Sequence, residues 1–80
     1  MDFPTFYQRL NAHMVLIPND NMTQYQLCPP NQCDWMYTLS KISNTRWRVI
    51  GHKEDLFDMS QDIDYIYENM NGVWKYVKSN

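Results

Sequence analysis

Residues Asp58 to Met70 read DMSQDIDYIYENM, and the interpretation of this stretch decides which fold the sequence predicts. At about 100° per residue, its apolar side chains fall within one buried helix face. Asp58 is a suitable N-cap, and Gln61 three positions later completes a capping-box pattern. Asn71-Gly72 supplies the left-handed residue with which many helices end. The pattern therefore predicts an amphipathic helix over residues 58–70. Its apolar positions are Met59, Ile63, Ile66, Tyr67 and Met70.

The opposite face of this predicted helix is acidic around one tyrosine. Like charges four residues apart cost roughly 0.2–0.5 kcal/mol per pair, and no Lys or Arg between Lys53 and Lys75 offsets them. Like-charge repulsion that nothing in the local sequence offsets marks a candidate functional site. The tyrosine within this face adds to the argument, because tyrosine is enriched at binding hot spots. The alternative is a solvated face whose acids serve only solubility. The candidate partner-binding residues are Glu54, Asp55, Asp58, Asp62, Asp64, Tyr65 and Glu68.

Length and composition favour one small globular domain spanning residues 1–80. Eighty residues suffice for one modest core, which leaves little room for a deep substrate pocket. A net charge of −2 gives no reason to expect a nucleic-acid or membrane partner. No apolar run approaches the roughly 20 residues of a membrane span, and the N-terminus lacks a signal-peptide pattern. The expected compartment is the cytoplasm, which is the host cytoplasm if a phage encodes the protein.

The first third of the chain predicts a helix followed by a hairpin. Helical spacing of apolar residues predicts a helix over residues 3–12, with Asp2 as its cap and Pro4 in its first turn. The apolar run at 13–17 predicts a strand buried on both faces. Residues 22–27 predict a half-exposed partner strand beyond a turn-rich segment.

The next two predicted strands form a second hairpin. Alternation turns Trp47 inward, opposite Leu39, and leaves a three-residue loop in which Asn44 takes the left-handed position. Residues 51–57 then link this hairpin to the predicted acidic helix. Residues 73–77 predict a last strand at a sheet edge, where Lys75 fits. The predicted order is α-β-β-β-β-α-β, an α+β domain whose mainly antiparallel sheet has about five strands and two helices.

Two cysteines are the main candidates for chemistry. Cys28 and Cys33 could form a disulfide, half a metal site or a nucleophile with His13 or His52 as base. Neither histidine has a second ligand at motif spacing, and two free thiols fit a cytosolic protein best. The sequence therefore predicts no metal, no cofactor and no catalytic residues, and we expect the protein not to be an enzyme.

Direct nucleic-acid binding is a weaker alternative. It would use Lys41, Arg46, Arg48 and Lys53 beside exposed tryptophans as stacking platforms. The alternation in the second hairpin turns its tryptophans inward, and the net charge opposes binding. The sequence therefore favours a partner that is not a nucleic acid.

The function that these patterns favour is that of a small protein-binding module. Its acidic helix face would dock on the basic surface of a larger protein, with Tyr65 as the anchor. Basic surfaces in cells are often nucleic-acid channels, so the favoured role is inhibition of a nucleic-acid-handling host enzyme. Small phage anti-defence and anti-CRISPR proteins work in this style. The alternative is a structural protein that forms a homodimer through the edge at 73–77 or the outer sheet face.

Overall fold

The structure is a computed structural model, and it describes residues 1–30, 35–53 and 63–79. These residues form one helix and six strands, a small α+β fold. The α+β prediction is therefore confirmed, but the strand count and element order differ from the predicted α-β-β-β-β-α-β. The elements are α1 (Phe3–Leu10), β1 (Val15–Pro18), β2 (Gln24–Cys28), β3 (Trp35–Ser43), β4 (Arg46–Lys53), β5 (Ile63–Met70) and β6 (Val73–Ser79).

The six strands form one antiparallel sheet in the order in which they occur along the chain. α1 packs on one face, the helix-covered face, where Phe3 and Tyr7 contact side chains such as Trp47 and Tyr67. The other side, the open face, carries no described helix. β1 and β6 are the two sheet edges within the described strands.

α1 forms where local signals predict it. The Asp2 carboxylate accepts a hydrogen bond from the Thr5 backbone N–H at 3.0 Å, and Pro4 lies in the first turn. The helix ends at Leu10, two residues before the predicted end. There the side-chain amide of Asn11 donates a hydrogen bond to the backbone carbonyl of Tyr7 at 3.1 Å. This bond satisfies one of the carbonyl groups that have no partner within the last turn of the helix.

The first hairpin is confirmed, but the predicted burial of its first strand is wrong. β1 is an edge strand, and Val15 and Ile17 are exposed on the open face instead of being covered on both sides. β2 turns Leu27 into the core, as the alternation predicts.

The second hairpin has the predicted inward face and a different register. Leu39 pairs with Val49 rather than with Trp47, a shift of two residues that keeps each side chain on its face. A bulge around Ile42 lets β3 continue to Ser43, and a two-residue turn replaces the predicted three-residue loop. The left-handed conformation predicted for Asn44 is wrong. Among the described residues, positive φ occurs at Met22, Asn71 and Gly72. β4 also extends through 51–53, which the sequence had suggested as linker.

The predicted acidic helix is wrong over residues 63–70, which form β5 between β4 and β6. Isoleucine and tyrosine, which dominate this stretch, favour strands. Asn71 and Gly72 have φ values of 58° and 86°, and two successive left-handed residues define the type I′ turn of a two-residue hairpin. The dipeptide therefore joins two strands instead of ending a helix. The remainder of the predicted helix, 58–62, lies outside the described residues.

The core lies between α1 and the middle of the helix-covered face. Phe3 is fully buried and stacks on Trp47 at a centroid distance of 5.6 Å, with Trp74 edge-on at 5.2 Å. Leu39 and Val49 fill the centre of the sheet below them. The inward orientation predicted for Trp47 is thus confirmed, while the Trp35 side chain lies outside the described residues.

Candidate functional site

The structure places three of the seven predicted partner-binding residues, and it divides them between two faces. Asp64, Tyr65 and Glu68 all lie on β5, where alternate residues point to opposite sides. Asp64 and Glu68 lie on the open face, whereas Tyr65 packs against the core on the helix-covered face. A helical face that combines these three residues is therefore not formed. The other predicted residues lie outside the described part: Glu54, Asp55, Asp58 and Asp62.

Arginines of the neighbouring strand offset the charges of the described β5 acids. Arg48 donates two hydrogen bonds to Asp64, one of them from Nε at 2.8 Å, in the fork geometry that suits a carboxylate. Arg46 donates to Glu68 at 3.3 Å. The hydrogen bond to Asp64 raises the pKa of the Arg48 guanidinium above its usual value. The compensation absent from the local sequence thus comes from β4. The signal in the sequence was that Arg46 and Arg48 are an even number of positions apart, as are Asp64 and Glu68, so that each set lies on one face of its strand.

One apolar side chain lies beneath these charged groups on the open face. Ile66 is 4% exposed, and in the sheet register it lies between Arg48 and Lys78. Long cationic side chains cover apolar neighbours with their stems while their charged ends stay in water. The middle of the open face is therefore charged at its surface and apolar beneath.

Tyrosines on the helix-covered face form an edge-to-face cluster. The rings of Tyr7 and Tyr67 lie 5.7 Å apart, and Tyr65 meets Tyr76 at 5.1 Å. Burial raises the pKa of both Tyr7 and Tyr67. Because Tyr65 belongs to this cluster, removing it would remove core contacts as well as a candidate anchor.

These raised pKa values predict a loss of stability in alkali. The folded state favours the neutral phenols, so their stabilisation is complete below about pH 10, the ordinary pKa of tyrosine, and is lost as pH rises above it. We expect the free energy of unfolding to fall by up to about 1.4 kcal/mol per pH unit for each tyrosine. Urea unfolding across the alkaline range measures this fall. Tyr7→Phe should reduce its slope, and an unchanged slope in that variant would contradict the assignment.

β6 presents the longer of the two sheet edges. The two-residue turn makes Met70 and Val73 a hydrogen-bonded pair, so alternate residues Trp74 and Tyr76 direct their backbone N–H and C=O groups to the open edge. Val73, Tyr76 and Val77 are 54%, 51% and 38% exposed. Among the described strands, β6 pairs with β5 alone.

Lysines line the same strand without ion-pair partners in the described part of the chain. Lys75 and Lys78 are exposed, and neither forms a described salt bridge. Lys75 faces Glu68 across the register, but the Glu68 carboxylate bonds Arg46. Among the described residues, the charges of this sheet edge that have no ion-pair partner are therefore positive.

The β1 edge is much less suited to pairing. The Asn19 N–H donates to the Gln24 carbonyl at 2.9 Å, which places the outward-directed backbone groups of β1 on Leu16 and Pro18. Proline has no N–H, so Leu16 alone offers an outward donor within this four-residue strand. A short strand ending in proline is a usual means of protecting a sheet edge.

Few described features suggest small-molecule chemistry. Cys28 carries a free, partly buried thiol, and Cys33 lies outside the described residues. Within the described ranges, no group of three His, Cys, Asp or Glu side chains could hold a metal ion. The described helix is too short to cross a membrane. An open cavity of about 250 Å³ lies beside the β1–β2 hairpin, lined by Ile17, Pro18, Asn19, Gln24 and Gln26.

Comparisons of the chain with protein-family models, with curated proteins and with solved structures find no match.

Proposed function

We propose that this chain is a small protein-binding module that acts by covering part of a larger partner, and that its principal contact surface is the β6 edge. The observation that carries the proposal is the combination of outward-directed backbone groups at Trp74 and Tyr76 with exposed side chains beside them. Strand addition to an open edge is a common mode of peptide recognition, because backbone hydrogen bonds supply affinity and alternate side chains supply specificity. Inhibition of a larger host enzyme is the role that we propose for such a module.

Two matched double variants test the surface. Val73→Ser/Val77→Ser removes exposed apolar side chains from β6, and Val15→Ser/Ile17→Ser removes comparably exposed ones from β1. We expect the β6 variant to lose a partner that the unmodified protein captures from host lysate, because it loses apolar area at the contact. The β1 variant should keep that partner. Affinity capture at low and at high salt, read by mass spectrometry, makes the comparison.

Either of two results would contradict the proposal. A partner that binds the β6 variant as well as the unmodified protein does not use this edge. A partner lost from the β1 variant alone uses the opposite edge. Circular dichroism and urea unfolding of both variants control for folding, since exposed substitutions typically change stability by about 0.5 kcal/mol or less.

Self-association through the same edge is the second candidate. The exposure of Val73, Tyr76 and Val77 on a strand whose outer edge has no described partner strand favours it, since such edges template pairing with another chain. A homodimer formed by apolar and backbone contacts should persist at high salt. Sedimentation of the purified protein at two salt concentrations separates this candidate from a monomeric binding module.

Docking of acidic residues on a basic partner stays a separate proposal. Four of its candidate residues lie outside the described part, and the described acids Asp64 and Glu68 already bind arginines. A basic partner would therefore have to compete with Arg46 and Arg48 for these two carboxylates. What supports the proposal is the acid-rich sequence between Glu54 and Asp62.

A further inference from the structure

We infer that the β6 edge binds an extended acidic segment of a partner protein, which adds to the sheet as a seventh strand and places carboxylates opposite Lys75 and Lys78. This inference rests on the proposed function, because it names the chemistry of the partner at the same edge. It reverses the charge expected from the sequence: the partner segment is acidic and the surface of this chain is basic.

The first argument is the charge balance of the open face. Its described acids, Asp64 and Glu68, are held by arginines of β4 on the side away from the edge. Lys75 and Lys78 belong to the strand at the edge and form no described salt bridge. Side chains directly opposite each other on neighbouring strands lie about 4.5–5.5 Å apart at Cβ. Lys75 lies opposite Glu68 and, beyond a β-bulge in this pairing, Lys78 lies opposite Ile66, so both lysines lie on the open face. Acidic residues on the same face of an added strand would therefore lie near both lysines.

The second argument is the alternation of the edge strand. Trp74 and Tyr76 direct their backbone groups outward, and the exposed Tyr76 ring lies on the helix-covered face, away from Lys75. A segment in which acidic residues alternate with apolar ones matches both faces at once. The acids would face the lysines, and an apolar side chain would cover the Tyr76 ring.

A second copy of this chain fits the edge less well. Antiparallel pairing of β6 with its own copy brings Lys75 and Lys78 of both molecules close together across the new pair. Like charges opposite each other on neighbouring strands are destabilising. The lysines therefore disfavour the symmetric dimer and favour an acidic strand.

The experiment uses defined peptides in place of the unidentified partner. The probe is a capped peptide of sequence Thr-Glu-Val-Glu-Val-Glu-Thr, and its control has lysine in place of each glutamate. Titration of the isotope-labelled protein, followed by backbone amide NMR, reports both affinity and location. We expect the glutamate peptide to bind roughly 3- to 30-fold more tightly than the lysine peptide, with the largest shifts at Trp74 and Tyr76.

A charge-reversal variant gives the sharper comparison. Lys75→Glu/Lys78→Glu should reverse the preference, so that the lysine peptide binds more tightly. The matched control is Arg9→Glu/Lys41→Glu, which makes the same charge change at two exposed positions outside β6 and should keep the preference of the unmodified protein. This pair separates a local contact from a general effect of net charge.

Three outcomes would overturn the inference: equal binding of both peptides, no binding of the glutamate peptide at millimolar concentration, or a dimer that protects the β6 amides without any peptide. The lysate capture described above distinguishes a failure of this inference from a failure of the proposed function. If capture depends on Val73 and Val77 while the peptides show no preference, the edge binds a partner that is not an acidic strand. If capture is indifferent to these two residues, the proposed function itself fails.

Discussion

Phe3→Ala is expected to lower the free energy of unfolding by about 3–5 kcal/mol, the usual cost of removing a fully buried aromatic ring. Phe3 is 0% exposed, and five aromatic rings lie around it with centroids 5.2–5.9 Å from its own. A domain of this length is stable by only about 4–12 kcal/mol, so the loss is a large share of the total. Urea unfolding monitored by tryptophan fluorescence measures it, because Trp47 and Trp74 both contact the ring.

The loss should be large because α1 depends on this contact. An isolated helix of eight residues is marginal in water, so packing rather than intrinsic propensity keeps α1 folded. Leu10→Ala is the matched control, since Leu10 belongs to the same helix and is 62% exposed. It should change stability by about 0.5 kcal/mol or less. A similar loss in both variants would mean that burial of the Phe3 ring is not what keeps α1 on the sheet, because alanine is the better helix former at both positions.

α1 was predictable because its signals are local. The Asp2 cap, Pro4 in the first turn and the spacing of apolar residues all lie within one short segment, and the structure uses each of them. The last strand was predictable for the same reason, since apolar alternation and lysines suit a sheet edge. In both cases the local preference and the final packing agree.

β5 was not predictable from its own residues, because its apolar positions fit two periods. Ile63, Ile66 and Tyr67 lie on one side of a helix, whereas Ile63, Tyr65 and Tyr67 lie on one side of a strand. Partners distant in sequence favour the strand. Arg48 reaches Asp64 across 16 positions, and Arg46 reaches Glu68 across 22. The helix interpretation treated the arginines and the acids as separate surfaces, so it assigned the acids to a binding site.

For a related reason, the sequence assigned the edge at 73–77 only to the alternative homodimer and not to the binding of another protein. Each lysine of β6 could be identified in the sequence, but whether an acid neutralises it depends on which strand the acids join. Once β5 lies between β4 and β6, its carboxylates turn to the arginines and the edge remains positive. The predicted acidic helix face and the proposed β6 edge therefore depend on one question, which is whether residues 63–70 form a helix or a strand. The two left-handed residues of the turn after β5 favour the strand.

The turn offers the second large effect: Asn71→Val/Gly72→Val is expected to lower the free energy of unfolding by about 2–4 kcal/mol, roughly 1–2 kcal/mol for each residue. Both positions have positive φ, which side chains branched at Cβ strongly disfavour. A Cβ at Gly72 would meet no atom within 4 Å, so the cost there comes from backbone conformation rather than from a clash. A helix ending at this dipeptide would need only one left-handed residue, and the double variant would then cost about half as much.

Asn44→Val/Thr45→Val supplies the matched control, because the β3–β4 turn has the same length and no positive φ. It should cost about 0.5 kcal/mol or less. Hydrogen exchange extends the comparison to the binding edge. β6 is held in the sheet by β5, so a weakened turn should speed exchange of the β6 amides more than exchange in β3. If both double variants cost the same, or if exchange rises equally in β3 and β6, the Asn-Gly turn does not hold the edge strand in place.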